Sequence, residues 1–112
     1  ILHNCGNNLP IMDMLIDGGI DAYQSLQPNA GMDLAVLKQR YGDRLCFWGG
    51  MDLAILQQGS TDDVRTHVRI AMEKGKPNGG FIFGPSHSIA FGTNYDNFMV
   101  MLEEYEKLSW YH

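Results

Sequence analysis

The stretch LCFWGGMD, residues 45–52, decides the fold of this chain. Its first four residues are a short continuous apolar run, which is typical of a β-strand buried on both faces. Helical patterns precede and follow this run, so we expect it to be one strand of a parallel sheet joined by right-handed helical crossovers. The two glycines and the aspartate then follow the strand directly.

The same alternation of strand and helix patterns extends along the rest of the chain. Short β-rich runs predict further strands at residues 1–2, 20–26 and 80–83. Apolar stripes, N-caps and terminal glycines predict helices over residues 11–16, 34–41, 53–57 and 61–74. A last helix is predicted with Phe98, Leu102 and Tyr105 on its inner face. Residues 1–112 are therefore predicted to form one α/β domain of four consecutive βα units.

Four βα units can form a small open sheet or half of a closed (β/α)8 barrel. We favour the half barrel because the chain begins inside a strand and is near half the roughly 250 residues of a full barrel. Polar motifs also follow strands one, three and four, where barrel enzymes carry their chemistry. The turn at residues 5–8 lacks the glycine spacing of an open-sheet nucleotide fold.

Composition limits the classes of partner and the compartment. The net charge of -5 argues against nonspecific attraction to nucleic acid or anionic membranes. No apolar run approaches the roughly 20 residues of a membrane span. No signal peptide is visible, although the first residue is Ile1. Two cysteines do not make a disulfide framework, so we expect a reducing, cytoplasmic setting.

His3 and Cys5 at the start of the chain, together with His87 in the GPSH stretch at residues 84–87, predict a metal site. On an extended strand, residues two apart point to one face, so His3 and Cys5 would lie together. Zinc takes imidazole nitrogen and thiolate sulfur, and an open catalytic site needs only three protein ligands. The alternative interpretation is a helix-capping His, an inert buried Cys and a surface His.

Other polar residues could line the same rim. Asp52 follows two glycines that let the backbone approach a ligand, so we predict a catalytic role for Asp52, beside His87, and a cofactor-binding place for Gly50. The alternative for Asp52 is a helix N-cap. Gln24 and Gln27 lie at the end of the second strand, where Gln24 could contact a cofactor. Alternatively, both side chains satisfy loop backbone groups.

The remaining unusual residues have structural interpretations. Cys46 is expected in the core and His67 on a solvated helix surface. Methionines at helical spacing are expected to fill the core: Met12, Met14, Met72, Met99 and Met101. The aromatic tail at residues 110–112 is expected to pack on the barrel bottom or to contact a partner.

Taken in order, these motifs resemble the C-terminal half of the uroporphyrinogen decarboxylase superfamily, which also contains cobalamin-dependent methyltransferases. The matching stretches cover nearly the whole chain: HNCGN (3–7), DGGIDA (17–22), DL and LK (33–34 and 37–38), YGD (41–43), GGMD (49–52), GGFI (79–82) and GPSH (84–87). The resemblance implies a (β/α)8 barrel of which this chain holds units five to eight.

The resemblance implies different chemistry in the two branches of the superfamily. The methyltransferases hold zinc with a His-x-Cys pair and a later Cys, and the zinc activates an acceptor thiol. His3 and Cys5 match the pair, but the third position falls on His87, where the methyltransferase pattern has Cys. The decarboxylases carry a His near the last strand, which His87 also fits.

The His-x-Cys start favours the methyltransferase-like branch. The resemblance then implies part of an enzyme that uses zinc and exchanges a methyl group with a corrinoid carried by a partner protein. The alternatives are a decarboxylase-like lyase of tetrapyrrole biosynthesis and a non-catalytic half barrel that binds a ligand or partner. The open sheet edges of a half barrel predict pairing with the N-terminal half or with a second copy.

Overall fold

Strands and helices alternate along the chain as the sequence predicts. The computed structural model describes residues 1–27 and 30–110. The strands are β1 (Leu2–His3), β2 (Ala22–Leu26), β3 (Cys46–Met51) and β4 (Phe81–Pro85). The helices are α1 (Met12–Asp17), α2 (Leu34–Tyr41), α3 (Leu53–Gln58), α4 (Thr61–Gly75) and α5 (Tyr95–Leu108), and a 3-10 turn (Leu9–Ile11) leads into α1.

All four strands are parallel, and their order in the sheet is β1-β2-β3-β4. Because the order in space follows the order in sequence, each crossover steps in the same direction. Right-handed crossovers then place the helices on one face of the sheet. A doubly wound sheet would reverse its strand order partway. The predicted α/β fold is confirmed, and the arrangement is that of part of a (β/α)8 barrel.

The strand register separates two rows of side chains that face opposite ways. The row on the helix side is apolar and consists of Leu2, Tyr23, Phe47 and Phe81. Tyr23 and Phe47 are fully buried. The next row, on the opposite face, consists of His3, Gln24, Trp48 and Ile82. Ile82 is 46% exposed, so this second face is open, as the inner face of an isolated barrel segment would be.

The core has two parts on the helix side of the sheet. One lies between α1, α2 and the first three strands, and the other between β3, β4 and helices α3 to α5. Phe81 packs against both parts. A Cβ atom on Gly75 would overlap the Phe81 ring, so this glycine lets the end of α4 lie directly on β4. Each fully buried apolar side chain contributes roughly 1.5–3 kcal/mol to the driving force for folding.

The buried face of α5 is shifted by one residue from the prediction. The buried positions are Asn97, Met101 and Glu104, whereas Leu102 and Tyr105 are 42% and 37% exposed. Polar contacts explain the shift. The Asn97 amide donates to two main-chain carbonyls at the end of α3, and Glu104 accepts from Arg69 at 2.8 Å.

Smaller predictions were also tested by the structure. β3 continues through Met51, so both glycines of the opening motif lie within the strand rather than after it. Met12, Met72 and Met101 are buried as predicted, but the prediction was wrong for two other methionines: Met14 is 71% exposed and Met99 is 44% exposed. Met14 lies on the side of α1 away from the sheet, and Met99 flanks the buried face of α5.

The aromatic tail is described only at its first residue. Trp110 is 69% exposed, and its carbonyl accepts a hydrogen bond from Lys76. The other two tail residues, 111 and 112, lie outside the described residues. Within the described part of the chain, every helix is too short or too polar to cross a lipid bilayer.

His67 is half-buried on α4, so its predicted place on a solvated surface was wrong. It lines a cavity of about 230 Å³ between α2 and α4, together with Asp33, Lys74 and Ile70. Burial lowers the pKa of His67 below its ordinary value, because the charged imidazolium would lose hydration there. The positive charge of Lys74 lowers this pKa further, while Asp52 opposes the shift.

This lowered pKa predicts a loss of stability on the acid side. Above about pH 6.5 His67 is neutral in both the folded and unfolded states. As the pH falls below that value, the unfolded chain binds the proton first, so the free energy of unfolding decreases until the folded pKa is passed. Urea unfolding at about pH 7.5 and about pH 5 should show a smaller loss for His67→Gln than for wild type. Equal losses in both proteins would contradict this expectation.

Candidate metal centre

His3 is held by the register of the first two strands. It ends β1 and pairs with Gln24 of β2, and its Nδ1 atom is hydrogen-bonded to Gln24 Oε1. An amide oxygen can only accept, so Nδ1 carries the hydrogen. The lone pair on His3 is therefore on Nε2. Fixing the tautomer through the distal nitrogen is how proteins orient metal-binding imidazoles.

Cys5 lies two residues beyond the end of β1. The predicted extended spacing is wrong in detail, because β1 ends at His3 and Cys5 is outside the strand. The two side chains nevertheless meet, since Cys5 Sγ lies 3.5 Å from His3 Nε2. Gly6 follows with a φ of +85°, which turns the chain away, and its N–H donates to Gln27 Oε1 at 2.7 Å.

Tyr23 anchors the residue between the two ligand-type side chains. Its hydroxyl donates to the Asn4 carbonyl at 2.6 Å and accepts from Asn8 Nδ2 at 2.7 Å. Burial raises the pKa of Tyr23, and the nearby Cys5 raises it further, while the Asn8 hydrogen bond opposes these effects. The phenol therefore stays protonated and keeps donating, which holds the backbone between His3 and Cys5 in place.

His87 approaches the pair from the loop after β4. Ser86 is buried, and its N–H donates to the Met51 carbonyl at 2.8 Å, which fixes the start of the loop against β3. The His87 ring then lies edge-on to the His3 ring, with centroids 5.5 Å apart. His87 Nδ1 accepts the N–H of Ser88 at 2.8 Å, so in the neutral ring the hydrogen is on Nε2.

The structure therefore brings together the three predicted metal ligands. One ligand atom from each of His3, Cys5 and His87 lies within 4.8 Å of the other two, and all three residues are exposed. In a tetrahedral zinc site, Zn–N of about 2.0–2.1 Å and Zn–S of about 2.3 Å place ligand atoms roughly 3.5 Å apart. The His3–Cys5 separation already matches this value.

His87 needs two adjustments to join such a site. Its exposed side chain must move inward, and the hydrogen on Nε2 must shift to Nδ1 at the expense of the Ser88 hydrogen bond, if Nε2 is the ligand. The donor set and the open fourth position fit zinc. Without these adjustments, His87 Nε2–H is a hydrogen-bond or proton donor.

Two other predicted site residues, Asp52 and Gly50, occupy structural positions. Asp52 caps α3 by accepting the Ala54 N–H at 2.8 Å, as its alternative interpretation predicted. Gly50 faces the helices, because a Cβ atom there would meet Phe81 and Ala71 at 3.4 and 3.6 Å. Catalytic and cofactor-binding roles for these two residues stay predictions.

Gln24 and Gln27 form hydrogen bonds to residues of the site and its turn. Gln27 accepts from the Gly6 N–H, as its alternative interpretation predicted, whereas Gln24 accepts from the His3 side chain and so orients a ligand instead of satisfying a loop backbone group. A direct contact between Gln24 and a cofactor stays a prediction.

Sequence reasoning missed three residues that support this site. Tyr23 and Asn8 fix the Asn4 carbonyl, and Ser25 contacts Cys5 Sγ at 3.5 Å. From the sequence, a tyrosine in a buried strand is predicted to be a core residue. The parallel register between β1 and β2 is needed to show that the Tyr23 hydroxyl lies under the His-x-Cys turn. The sequence contains no local signal for Ser25, because its contact depends on an irregularity in β2.

Comparison with known proteins agrees with this architecture. The family model described as Uroporphyrinogen decarboxylase (URO-D) matches residues 1–108. The chain therefore belongs to the uroporphyrinogen decarboxylase family. A search among curated protein sequences gives no significant match.

The hydrogen-bond pattern predicts opposite tautomers for the two histidines. In metal-free protein at about pH 8, where imidazoles are ordinarily neutral, His3 should carry its hydrogen on Nδ1 and His87 on Nε2. Long-range ¹H–¹⁵N NMR correlations distinguish the two forms. In Gln24→Leu, the His3 preference should be lost while His87 stays unchanged. A single shared tautomer in wild type would contradict the assignment.

Proposed function

We propose that this chain is the C-terminal half barrel of a zinc-dependent, corrinoid-linked methyltransferase of the uroporphyrinogen decarboxylase superfamily. The complete enzyme transfers a methyl group between a methylcorrinoid protein and an acceptor. The observation that carries the proposal is the convergence of His3, Cys5 and His87 within 4.8 Å at the C-terminal ends of β1 and β4. Barrel enzymes build their active sites at this end of the strands.

The chain's own residues prepare the site for a metal in separate ways. His3 presents the lone pair of Nε2 because its Nδ1–H donates a hydrogen bond to Gln24 Oε1. The Cys5 thiol loses its proton on coordination, so metal affinity rises with pH. Zinc bound there would act as a Lewis acid on a bound thiol or water. Three protein ligands leave a fourth position for the group that is activated.

The open face beside the site supports binding of a flat apolar ligand. Trp48 and Ile82 continue the row that starts with His3 and Gln24. The Trp48 indole lies across Gly84, where a Cβ atom would come within 3.2 Å of its Nε1 atom. This broad apolar surface next to the ligand atoms suits the flat face of a tetrapyrrole-like ring.

We also propose that further βα units complete the barrel. Among the described residues, β1 pairs with β2 alone and β4 with β3 alone, so both edges of the described sheet carry unpaired backbone groups. Two exposed apolar side chains, Ile89 and Leu102, line a groove beside the end of β4. The completing units come from the N-terminal half of the same protein or from a second copy of this chain. A corrinoid protein is the proposed further partner.

One observation favours a second candidate, a decarboxylase-like lyase. His87 Nε2–H is a donor because Nδ1 already accepts from Ser88. In a decarboxylation, the bond to the departing CO₂ breaks, its electron pair stays on the substrate carbon, and that carbon takes a proton. A histidine with a free N–H is suited to supply this proton. The presence of His, where the methyltransferase pattern has Cys, is compatible with this candidate.

The metal content of the purified protein separates the methyltransferase from the two alternatives, the lyase and a non-catalytic binding module. Purified wild-type protein should contain close to one zinc per chain by elemental analysis. His3→Ala and Cys5→Ala should each lose most of it, since outer contacts alone change affinity roughly 10–100-fold and direct ligands contribute more.

Cys46→Ala is the matched control, because Cys46 is a second thiol that belongs to no such cluster among the described residues. It should keep the wild-type zinc content. Zinc at background level in wild type would remove the methyltransferase mechanism and leave the lyase or a binding role.

A further inference from the structure

Ser25 departs from regular strand geometry at the point where β2 reaches the metal centre. The register between β2 and β3 shifts between Gln24 and Leu26, and Ser25 has a φ of +85°. Such a left-handed conformation is uncommon for a residue with a side chain, and it persists only where the surroundings enforce it. Glycine would adopt the same conformation without this cost.

The bulge brings two neighbouring side chains to the same place. Successive residues of a regular strand point to opposite faces, so Gln24 and Ser25 should point apart. Instead, Gln24 contacts His3, and Ser25 Oγ lies 3.5 Å from Cys5 Sγ. Ser25 is fully buried, and the described residues offer its hydroxyl no other hydrogen-bond partner.

The four side chains form a hydrogen-bond chain with one direction. The Ser25 hydroxyl donates to the Cys5 sulfur, and the Cys5 thiol in turn donates to His3 Nε2 at 3.5 Å. His3 Nδ1–H then donates to the Gln24 oxygen. When the thiol proton leaves, the Ser25 donor stays in place on the thiolate. Hydrogen bonds to a charged acceptor are shorter and roughly twice as strong as neutral ones.

We propose that Ser25 is a positioning residue of the metal centre. The bulge in β2 aims its hydroxyl at the Cys5 sulfur, and that hydrogen bond orients the thiolate and stabilises its charge in the metal-bound state. This inference rests on the proposed function, that is, on metal binding through Cys5.

Two substitutions separate the hydroxyl from the backbone. Ser25→Ala removes the hydroxyl but keeps a side chain at positive φ, whereas Ser25→Gly removes the hydroxyl and relieves the backbone. If the hydroxyl acts on the sulfur, both variants should bind Zn²⁺ about tenfold more weakly than wild type in competition with a chromophoric chelator. Circular dichroism and thermal unfolding verify that each variant is folded.

The spectrum of the Co²⁺-loaded protein reports on the sulfur directly. Without the Ser25 donor the thiolate holds more electron density, so the thiolate-to-cobalt charge-transfer band should move to lower energy, by the same amount in both variants. A purely structural role predicts a different pattern: Ser25→Gly would match wild type in affinity and band position, and Ser25→Ala alone would change.

Each outcome has a distinct meaning. Suppose that wild type binds the metal. If both variants then match its Zn²⁺ affinity and charge-transfer band, or if Ser25→Ala alone differs from it, the role of Ser25 is overturned and the metal site stands. Failure of wild type to bind either Zn²⁺ or Co²⁺ would overturn the proposed function, and the role of Ser25 with it.

Discussion

The structure depends on the parallel register between β1 and β2. This pairing sets His3 opposite Gln24 and, one residue earlier, Leu2 opposite Tyr23. The first pair fixes the tautomer of a metal ligand, and the second places Tyr23 in the core beneath the same turn. A slip of one residue would exchange the two faces, so the apolar requirement of the core also enforces the geometry of the site.

The site is rigid on one side and adjustable on the other. The Asn4 carbonyl is held by a buried tyrosine hydroxyl, and the Gly6 N–H by Gln27, so the His3–Cys5 pair has a fixed spacing. His87 is exposed and lies in a loop whose start is bonded to β3 through Ser86, and its ring accepts the Ser88 N–H. A preformed pair with an exposed third ligand suits a centre that binds metal and still admits a substrate to the open position.

The sequence predicted the order of elements because strand and helix periodicities are strong where one face is buried. It also predicted which three residues meet, since the ends of parallel strands share one edge of the sheet. Periodicity could not predict the buried face of α5, because Asn97 and Glu104 are buried through long-range polar contacts that no local pattern shows. Nor could it predict the bulge at Ser25 or the burial of His67, which depend on neighbouring strands and helices.

The central claim is that His3, Cys5 and His87 bind one metal ion together. X-ray absorption spectroscopy at the zinc edge of the zinc-loaded protein tests it most directly. The account predicts one sulfur at about 2.3 Å and two imidazole nitrogens at about 2.0–2.1 Å, with a fourth light ligand. A coordination shell without sulfur, or one with a single imidazole, would contradict it.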